Sequence, residues 1–316
     1  MKVFITGATG LVGGKLSKAL LEAGNQVVAL SRDADRARSV LGEDVCVVEG
    51  TPSDSGDWMA QVSGCDGVVN LAGERVVGRR WNDEVKRQIR DSRVLTTTHL
   101  ATAIGQGSSP PRVFISASAV GYYGLRDFED ELDEGSPPGS DFLAEVCKQW
   151  EAATDLGEIE GAVRKTILRI GVVLDPSDGA LKMMLPPFRL GLGGPIGRGR
   201  MAFPWIHIDD LVSMILWTLR DETVSGVLNA TAPGSVTGKD FARALGKALH
   251  RPALFPVPPF VLHLLYGEGA FVVTSGQRVY PKRAKELGFD FEFPDVDGAL
   301  MDLLNCLEPK MGFLKQ

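Results

Sequence analysis

Short apolar runs and segments of helical spacing follow one another along most of the chain. Val3–Ile5, Gln26–Leu30, Val45–Glu49, Asp66–Leu71 and Arg112–Ala117 read as buried strands, each bounded by glycine or polar turns. After the first of them, Leu11, Leu16, Ala19, Leu20 and Ala23 share one face of a helix that Gly24 stops. A long helix is expected from about Asp83 to Ile104, and Thr166–Val173 reads as a sixth strand. Further on, Leu211–Arg220 reads as an apolar helix, Gly226–Ala232 as a strand, and Val236–Leu249 and Asp295–Leu304 as helices of a smaller lobe. Alternation of this kind, with right-handed crossovers, predicts an α/β fold built on a doubly wound parallel sheet. The main domain is expected over residues 1–175, with added segments near 200–232, and residues 176–316 mainly form a smaller mixed C-terminal substrate lobe.

The less regular stretches carry their own expectations. Met183–Gly199 is rich in glycine and proline and reads as a loop over a crevice, either a substrate lid or a structural cover. Asp209 or Asp210 is expected to cap the helix that follows, with His207 in a structural hydrogen-bonding role. His250–Leu265 holds too many prolines for a helix before Phe260, and Gly276–Gly288 becomes helical only after Pro281. The basic charge of that last stretch reads as a solvated face.

Composition narrows the function classes. At 316 residues, 44% hydrophobic and 23% charged, the chain suits one large domain, or a large one with a small lobe. A net charge of −6 argues against nucleic acid or an anionic membrane as partner. Cys46, Cys65, Cys147 and Cys306 are far apart and read as reduced thiols, with neither a disulfide frame nor a metal site. With no leader segment read before the first strand, the expected compartment is the cytoplasm, or an organelle stroma if a transit peptide has been removed. The expected partner is a small-molecule substrate of unidentified structure, with oligomer formation left open.

The first strand runs directly into Gly7, Gly10 and Gly13, spaced G-x-x-G-x-x-G, where the helix begins at Leu11. Such a joint collects free backbone N–H groups and the positive end of a helix dipole at one point, which suits a pyrophosphate. By itself the spacing also suits a tight strand–helix turn, so the residues downstream matter. The second strand ends in Ser31-Arg32, with Arg36 and Arg38 close behind, where an acid would favour NAD and an arginine accommodates the 2′-phosphate of NADP. Ala72 and Gly73 end the fourth strand with little bulk, and the fifth ends in Ser116-Ala117-Ser118-Ala119-Val120-Gly121-Tyr122-Tyr123-Gly124. Hydroxyls there would meet a substrate carbonyl or alcohol beside a nicotinamide; the plainer alternative is a strand end with a Gly-Tyr turn.

Taken together, Thr6–Gly13 (T-G-A-T-G-L-V-G), Asn70–Gly73 (N-L-A-G), Ser116–Gly124 and Trp205–Val212 (W-I-H-I-D-D-L-V) resemble the extended short-chain dehydrogenase/reductase superfamily. More closely, A-G-E (Ala72–Glu74), R-W-N (Arg80–Asn82), S-R (Ser92–Arg93), V-C-K-Q-W-E (Val146–Glu151), R-I-G-V-V-L (Arg169–Leu174), Pro186–Gly197 and G-Q-R-V-Y-P-K-R (Gly276–Arg283) resemble its atypical "epimerase family" subgroup. The resemblance implies a Rossmann domain binding NADP(H) through the glycine loop (Gly7, Thr9, Gly10, Leu11, Val12, Gly13), Ser31, Arg32, Leu71, Ala72, Gly73, Gln88, Arg93, Ser116 and Val172. It further implies catalysis by Ser118 with a tyrosine and lysine in Tyr-x-x-x-Lys. The sequence departs from that pattern: Lys148 is present, but Ala144 stands four residues before it, which leaves Tyr122 or Tyr123 as candidates for a displaced acid. Three functions follow from the resemblance: an NADP(H)-dependent oxidoreductase, a nucleotide-sugar epimerase, or an NADP-binding regulator of cell or plastid division that has lost its chemistry.

Overall fold

The computed structural model describes residues 1–126 and 128–305. The N-terminal half alternates β1 (Lys2–Thr6), α1 (Leu11–Glu22), β2 (Gln26–Ser31), α2 (Ala34–Leu41), β3 (Cys46–Glu49), β4 (Gly67–Asn70), α3 (Asp83–Gln106) and β5 (Val113–Ala119). It continues through β6 (Glu131–Leu132), α4 (Phe142–Ala152), β7 (Arg164–Ile170), β8 (Val172–Leu174), α5 (Gly179–Arg189), β9 (Ala202–Phe203), β10 (Trp205–His207), α6 (Ile208–Arg220) and β11 (Gly226–Ala230). The C-terminal part comprises β12 (Val236–Thr237), α7 (Gly238–Ala248), α8 (Pro259–Tyr266), α9 (Phe271–Thr274), β13 (Arg278–Val279), α10 (Lys282–Glu286) and α11 (Val296–Asn305).

Seven strands form one parallel sheet in the order β11-β7-β5-β4-β1-β2-β3. Strand order reverses at β1, which places a crevice above the carboxyl ends of β1 and β4. The period-2 geometry of each strand divides the apolar residues between two cores. Val3, Ile5, Val27, Ala29, Val69 and Ile115 join the core that also holds residues of α1, α5, α6, α7 and α11, whereas Phe4, Val28, Val68 and Phe114 pack with Leu100 and Ile104 of α3 and with Trp58. Register brings three polar residues side by side at the strand ends: Thr6 lies opposite Asn70, and Asn70 opposite Ser116. The Thr6 hydroxyl donates to Asn70 Oδ1 (2.7 Å), and Asn70 Nδ2 donates to Thr97 Oγ1 (2.8 Å) and Ser116 Oγ (3.2 Å), so this buried row is satisfied internally.

Three expectations are corrected. The sixth strand is broken: β7 ends at Ile170, and β8 leaves the sheet to pair with β10. The break falls at Gly171, where a Cβ would stand 2.7 Å from the Pro204 carbonyl oxygen. The stretch expected as a covering loop from Met183 is helical as far as Arg189, despite Pro186 and Pro187. Leu181, Leu185 and Phe188 point into the core while both prolines are exposed, so the carbonyls that lose their N–H partners lie on the watered side. The cap of α6 is His207, whose Nδ1 accepts from the Asp209 N–H (3.1 Å); Asp210 instead accepts from the N–H groups of Glu292 (2.9 Å) and Phe293 (3.1 Å), which ties α6 to the segment before α11. His207 thus has the structural hydrogen-bonding role expected of it. Cys46, Cys65 and Cys147 are free thiols, and Cys306 lies outside the described residues. Among the described residues no helix is long and apolar enough to cross a membrane.

Candidate cofactor and substrate site

The glycine loop forms the floor of the crevice. Gly7 has φ +72°, and a Cβ on it would meet the Leu71 carbonyl at 2.8 Å and the Ala72 nitrogen at 2.9 Å. A Cβ on Gly13 would come within 2.2 Å of the Gly7 oxygen. The first loop and the Leu71–Gly73 segment therefore touch backbone to backbone, an approach open only to glycine. Leu71 N–H donates to the Thr6 carbonyl (3.1 Å) and Ala72 N–H to the Thr6 hydroxyl (3.3 Å), which holds the two segments in line. Gly10 is the N-cap of α1 and has no side chain to cap it, and no acidic residue stands in the first turn. The N–H groups that open the helix are thus left for a ligand, and the dipole favours an anionic one. These features fit the pyrophosphate of a dinucleotide.

At the end of β2, the Ser31 hydroxyl is engaged in a turn with Asp33, donating to its carbonyl (2.9 Å) and accepting from its N–H (3.2 Å). Arg32 is 70% exposed and 3.7 Å from Glu74, the residue after Gly73, so the second and fourth strand ends meet across the crevice through this pair. Arg93 reaches up from α3: its guanidinium donates to the carbonyls of Ile89 (2.9 Å) and Glu74 (3.0 Å), lies 5.1 Å from the Trp150 ring centre, and rests against Gly73. Burial, with little help from neighbouring acids, pulls its pKa below the usual arginine value. Val172 opens β8 and its N–H donates to the Pro204 carbonyl (2.6 Å). Two of the residues expected at the cofactor are bound to other side chains. The Ser116 side chain is buried in the polar row below the crevice, and exposed Gln88 is bound to Glu84 (2.9 Å) and Arg79 (3.2 Å).

The expected catalytic group is rearranged. The face of α4 that looks toward the end of β5 carries Leu143, Cys147 and Glu151: a Cβ on Gly121 would lie 3.5 Å from Leu143 and 3.8 Å from Cys147 Sγ, and the Ser118 hydroxyl donates to Glu151 Oε1 (2.7 Å). Lys148, next to Cys147 and half-exposed, pairs with Glu145 one turn earlier. Tyr123 is fully buried; its hydroxyl donates to Asn229 Oδ1 (2.7 Å) and accepts from Arg169 Nη1 (3.1 Å). Burial pushes its pKa up to about 12, a poor value for acid–base work near neutrality. The Tyr122 ring stacks against the Arg169 guanidinium at 3.4 Å. Ser118 thus sits at the strand end bound to Glu151, Tyr123 is enclosed among Asn229 and Arg169, and Lys148 is half-exposed beside Glu145.

Two residues that no sequence role was assigned to hold this edge together. Glu151 and Arg169 form a buried bidentate pair, with Nε to Oε1 and Nη2 to Oε2 both at 2.8 Å. The signal was available in T-I-L-R-I, an arginine in the middle of an apolar strand that needs a buried acid nearby.

A seven-stranded doubly wound sheet with an uncapped glycine-loop helix, a serine at the end of β5 and a helix packed across it defines an extended short-chain dehydrogenase/reductase. The family model described as "NAD dependent epimerase/dehydratase family" matches residues 3–230, and one described as a domain of unknown function (DUF1731) matches residues 257–303. The chain is 41% identical over 309 residues to the mouse (Mus musculus) epimerase family protein SDR39U1, covering 96% of this chain and all of the mouse protein. It is 40% identical over 307 residues to the Arabidopsis thaliana SDR39U1 homolog named chloroplastic, covering 96% of this chain and 87% of the plant protein. The crystal structure of human SDR39U1 (isoform 2) with NADPH superimposes with a TM-score of 0.87 at 37% identity, over 97% of this chain and all of that one. The chain belongs to the NAD dependent epimerase/dehydratase family, within its SDR39U1-like group.

Proposed function

We propose that the chain is an NADP(H)-dependent oxidoreductase of the atypical short-chain type, acting on a small molecule held between Gly73 and Ser118. The observation that carries this reading is the open helix start at Gly10, set backbone to backbone against Leu71–Ala72 and on the same sheet edge as Arg32. The NADPH in the human relative's structure supports the phosphorylated cofactor. Gly7, Thr9, Gly10, Leu11, Val12 and Gly13 would hold the pyrophosphate, Arg32 the 2′-phosphate, and Leu71–Gly73, Arg93 and Val172 the rest. When bound, the nicotinamide supplies or accepts a hydride.

The chain's own contribution to the chemistry centres on Ser118. Its hydroxyl proton is directed at Glu151, which is paired in turn with Arg169. The Ser118 oxygen is then left to accept a hydrogen bond, which suits the hydroxyl of a carbinol better than a carbonyl. The proposed compartment is the cytoplasm, or a stroma as the plant relative's name suggests. Titration with NADPH and NADH, followed by a screen of carbonyl, alcohol and nucleotide-sugar substrates, tests the reading. Equal affinity for the two cofactors would count against it. Tight NADPH binding with no turnover would favour a binding-only regulator, a second reading that the unreactive Leu143–Cys147 face of α4 supports: burial pushes the Cys147 thiol up to about 12.

A further inference from the structure

The two residues after Gly73 reach in different directions. Glu74 extends to Arg32 at the end of β2 (3.7 Å), and Arg75 extends to Asp178 at the start of α5 (Nη2 to Oδ2, 2.6 Å). Asp178 is the N-cap of α5, where an aspartate ordinarily accepts from the N–H groups of its own helix, yet its side chain makes no such bond. Among the described residues its only side-chain partner is Arg75. The carboxylate is thus given to a contact 103 residues away in place of a local cap.

The turn that carries Asp178 is braced. Asp175 accepts from the Ser177 N–H (2.7 Å) and pairs with Lys15 of α1 (3.2 Å). A Cβ on Gly179, next to Asp178, would lie 3.9 Å from Leu11 Cδ2, so the turn rests on the residue that opens α1. On the other flank, Leu71 and Ala72 meet Gly7 backbone to backbone. The Arg75–Asp178 bridge therefore joins two segments that stand on either side of the glycine loop, one against Gly7 and the other against Leu11. The free N–H groups at the start of α1 lie between them. With Arg75 75% exposed, the pair adds little to stability, but its place suits control of a rate.

We propose that Arg75 and Asp178 form a clasp over the glycine loop, which opens each time the dinucleotide enters or leaves. The proposal rests on the reading of the Gly10 helix start as the pyrophosphate site. Because the clasp closes over the empty and the occupied loop alike, it slows both steps of exchange and leaves the affinity nearly unchanged. The test is stopped-flow NADPH fluorescence on the full chain, with mixing for association and a chase of excess NADP+ for dissociation. At low salt, Arg75→Gln and Asp178→Asn should each raise both rate constants together by about two- to fivefold, the range open to an exposed pair. Kd should stay within twofold and the urea midpoints close to wild type. The double variant should be no faster than either single one, and the gap from wild type should shrink as potassium chloride rises. Unchanged rates, or additive gains in the double variant, overturn the proposal. So does a change in dissociation alone, which would make Arg75 a ligand of the cofactor. If Arg75→Gln lowers the urea midpoint, the charge-exchanged protein Arg75→Asp/Asp178→Arg decides: rates near wild type support the clasp, and rates as fast as the single variants overturn it. Equilibrium titration of the wild type is read first, since no NADPH binding there overturns the pyrophosphate reading and the clasp with it.

Discussion

Arg32→Ala should separate NADPH from NADH. The side chain leads from the carboxyl end of β2, where the two cofactors differ by one phosphate, and it is 70% exposed with Glu74 at 3.7 Å. A charge-assisted hydrogen bond to a phosphate contributes about 1.5–3 kcal/mol. Exposure and salt screening reduce that figure, and Arg32 must also give up part of its attraction to Glu74, an exposed pair worth about 0.2–1 kcal/mol. A net loss of about 1–2 kcal/mol remains, which is about five- to thirtyfold in Kd. Isothermal titration of wild type and variant with each cofactor measures it. NADPH affinity should fall by that factor, NADH affinity should change less than twofold, and the gap should narrow as salt rises. Equal losses for both cofactors would mean that Arg32 supports the fold of the crevice rather than reading the phosphate. A wild-type preference near unity would refute the assignment outright.

Gly7→Ala combines a left-handed backbone with a Cβ 2.8 Å from the Leu71 carbonyl, so a stability loss of at least about 2 kcal/mol is expected in urea unfolding, together with loss of NADPH binding. Tyr123→Phe strands Asn229 Oδ1 in the interior and should destabilise by about 1–3 kcal/mol, while kcat on any substrate found stays within a few-fold. A hundredfold fall in kcat at unchanged stability would restore Tyr123 as the acid. His207 is buried as a neutral ring that accepts from Asp209 N–H, and burial lowers its pKa, with Asp209 and Asp302 opposing. The unfolded chain therefore takes up this proton first as pH falls through about 6.5, and stability should drop below that pH by up to about 1.4 kcal/mol per unit. His207→Asn keeps an acceptor at the cap, and its urea midpoints should flatten between about pH 6.5 and 5 relative to wild type.

Local physics explains what could be read in advance. Parallel strands buried on both faces are nearly continuous apolar runs, so β1, β2, β4 and β5 stand out, and Gly7 and Gly13 announce their joint because a backbone approach admits no other residue. The features that were missed depend on neighbours distant in the chain. Helix α5 survives two prolines only because Leu181, Leu185 and Phe188 anchor its other side. His207 caps α6 in place of the aspartates because Asp210 is drawn to backbone N–H groups more than 80 residues away, with separations of 82 and 83. The phase of α4 is the clearest case. Spacing identifies Lys148 as a lysine on the right helix, but a shift of one residue rotates a side chain by about 100°, and only packing shows that Cys147 holds the inward position.

That rotation bears on what kind of protein this can be. A short-chain reductase that merely lost its tyrosine would be expected to leave a gap or a stranded polar atom beside the strand-end serine. Here the space is filled by Leu143 and Cys147, and Ser118 is bound to a carboxylate that is itself neutralised by an arginine stacked on Tyr122. Every donor along this chain has an acceptor: Ser118 to Glu151, Arg169 to Glu151 and Tyr123, Tyr123 to Asn229, and Asn229 to the Tyr280 carbonyl (3.0 Å). Removing one member of such a pair leaves a buried charge and costs about 3–5 kcal/mol, so Arg169 and Glu151 constrain each other strongly. A proton could not be drawn from Tyr123 without disturbing the entire row. Proton exchange during any hydride transfer must then run through Ser118, water or the substrate itself. The polar network fixes the direction in which Ser118 presents its oxygen.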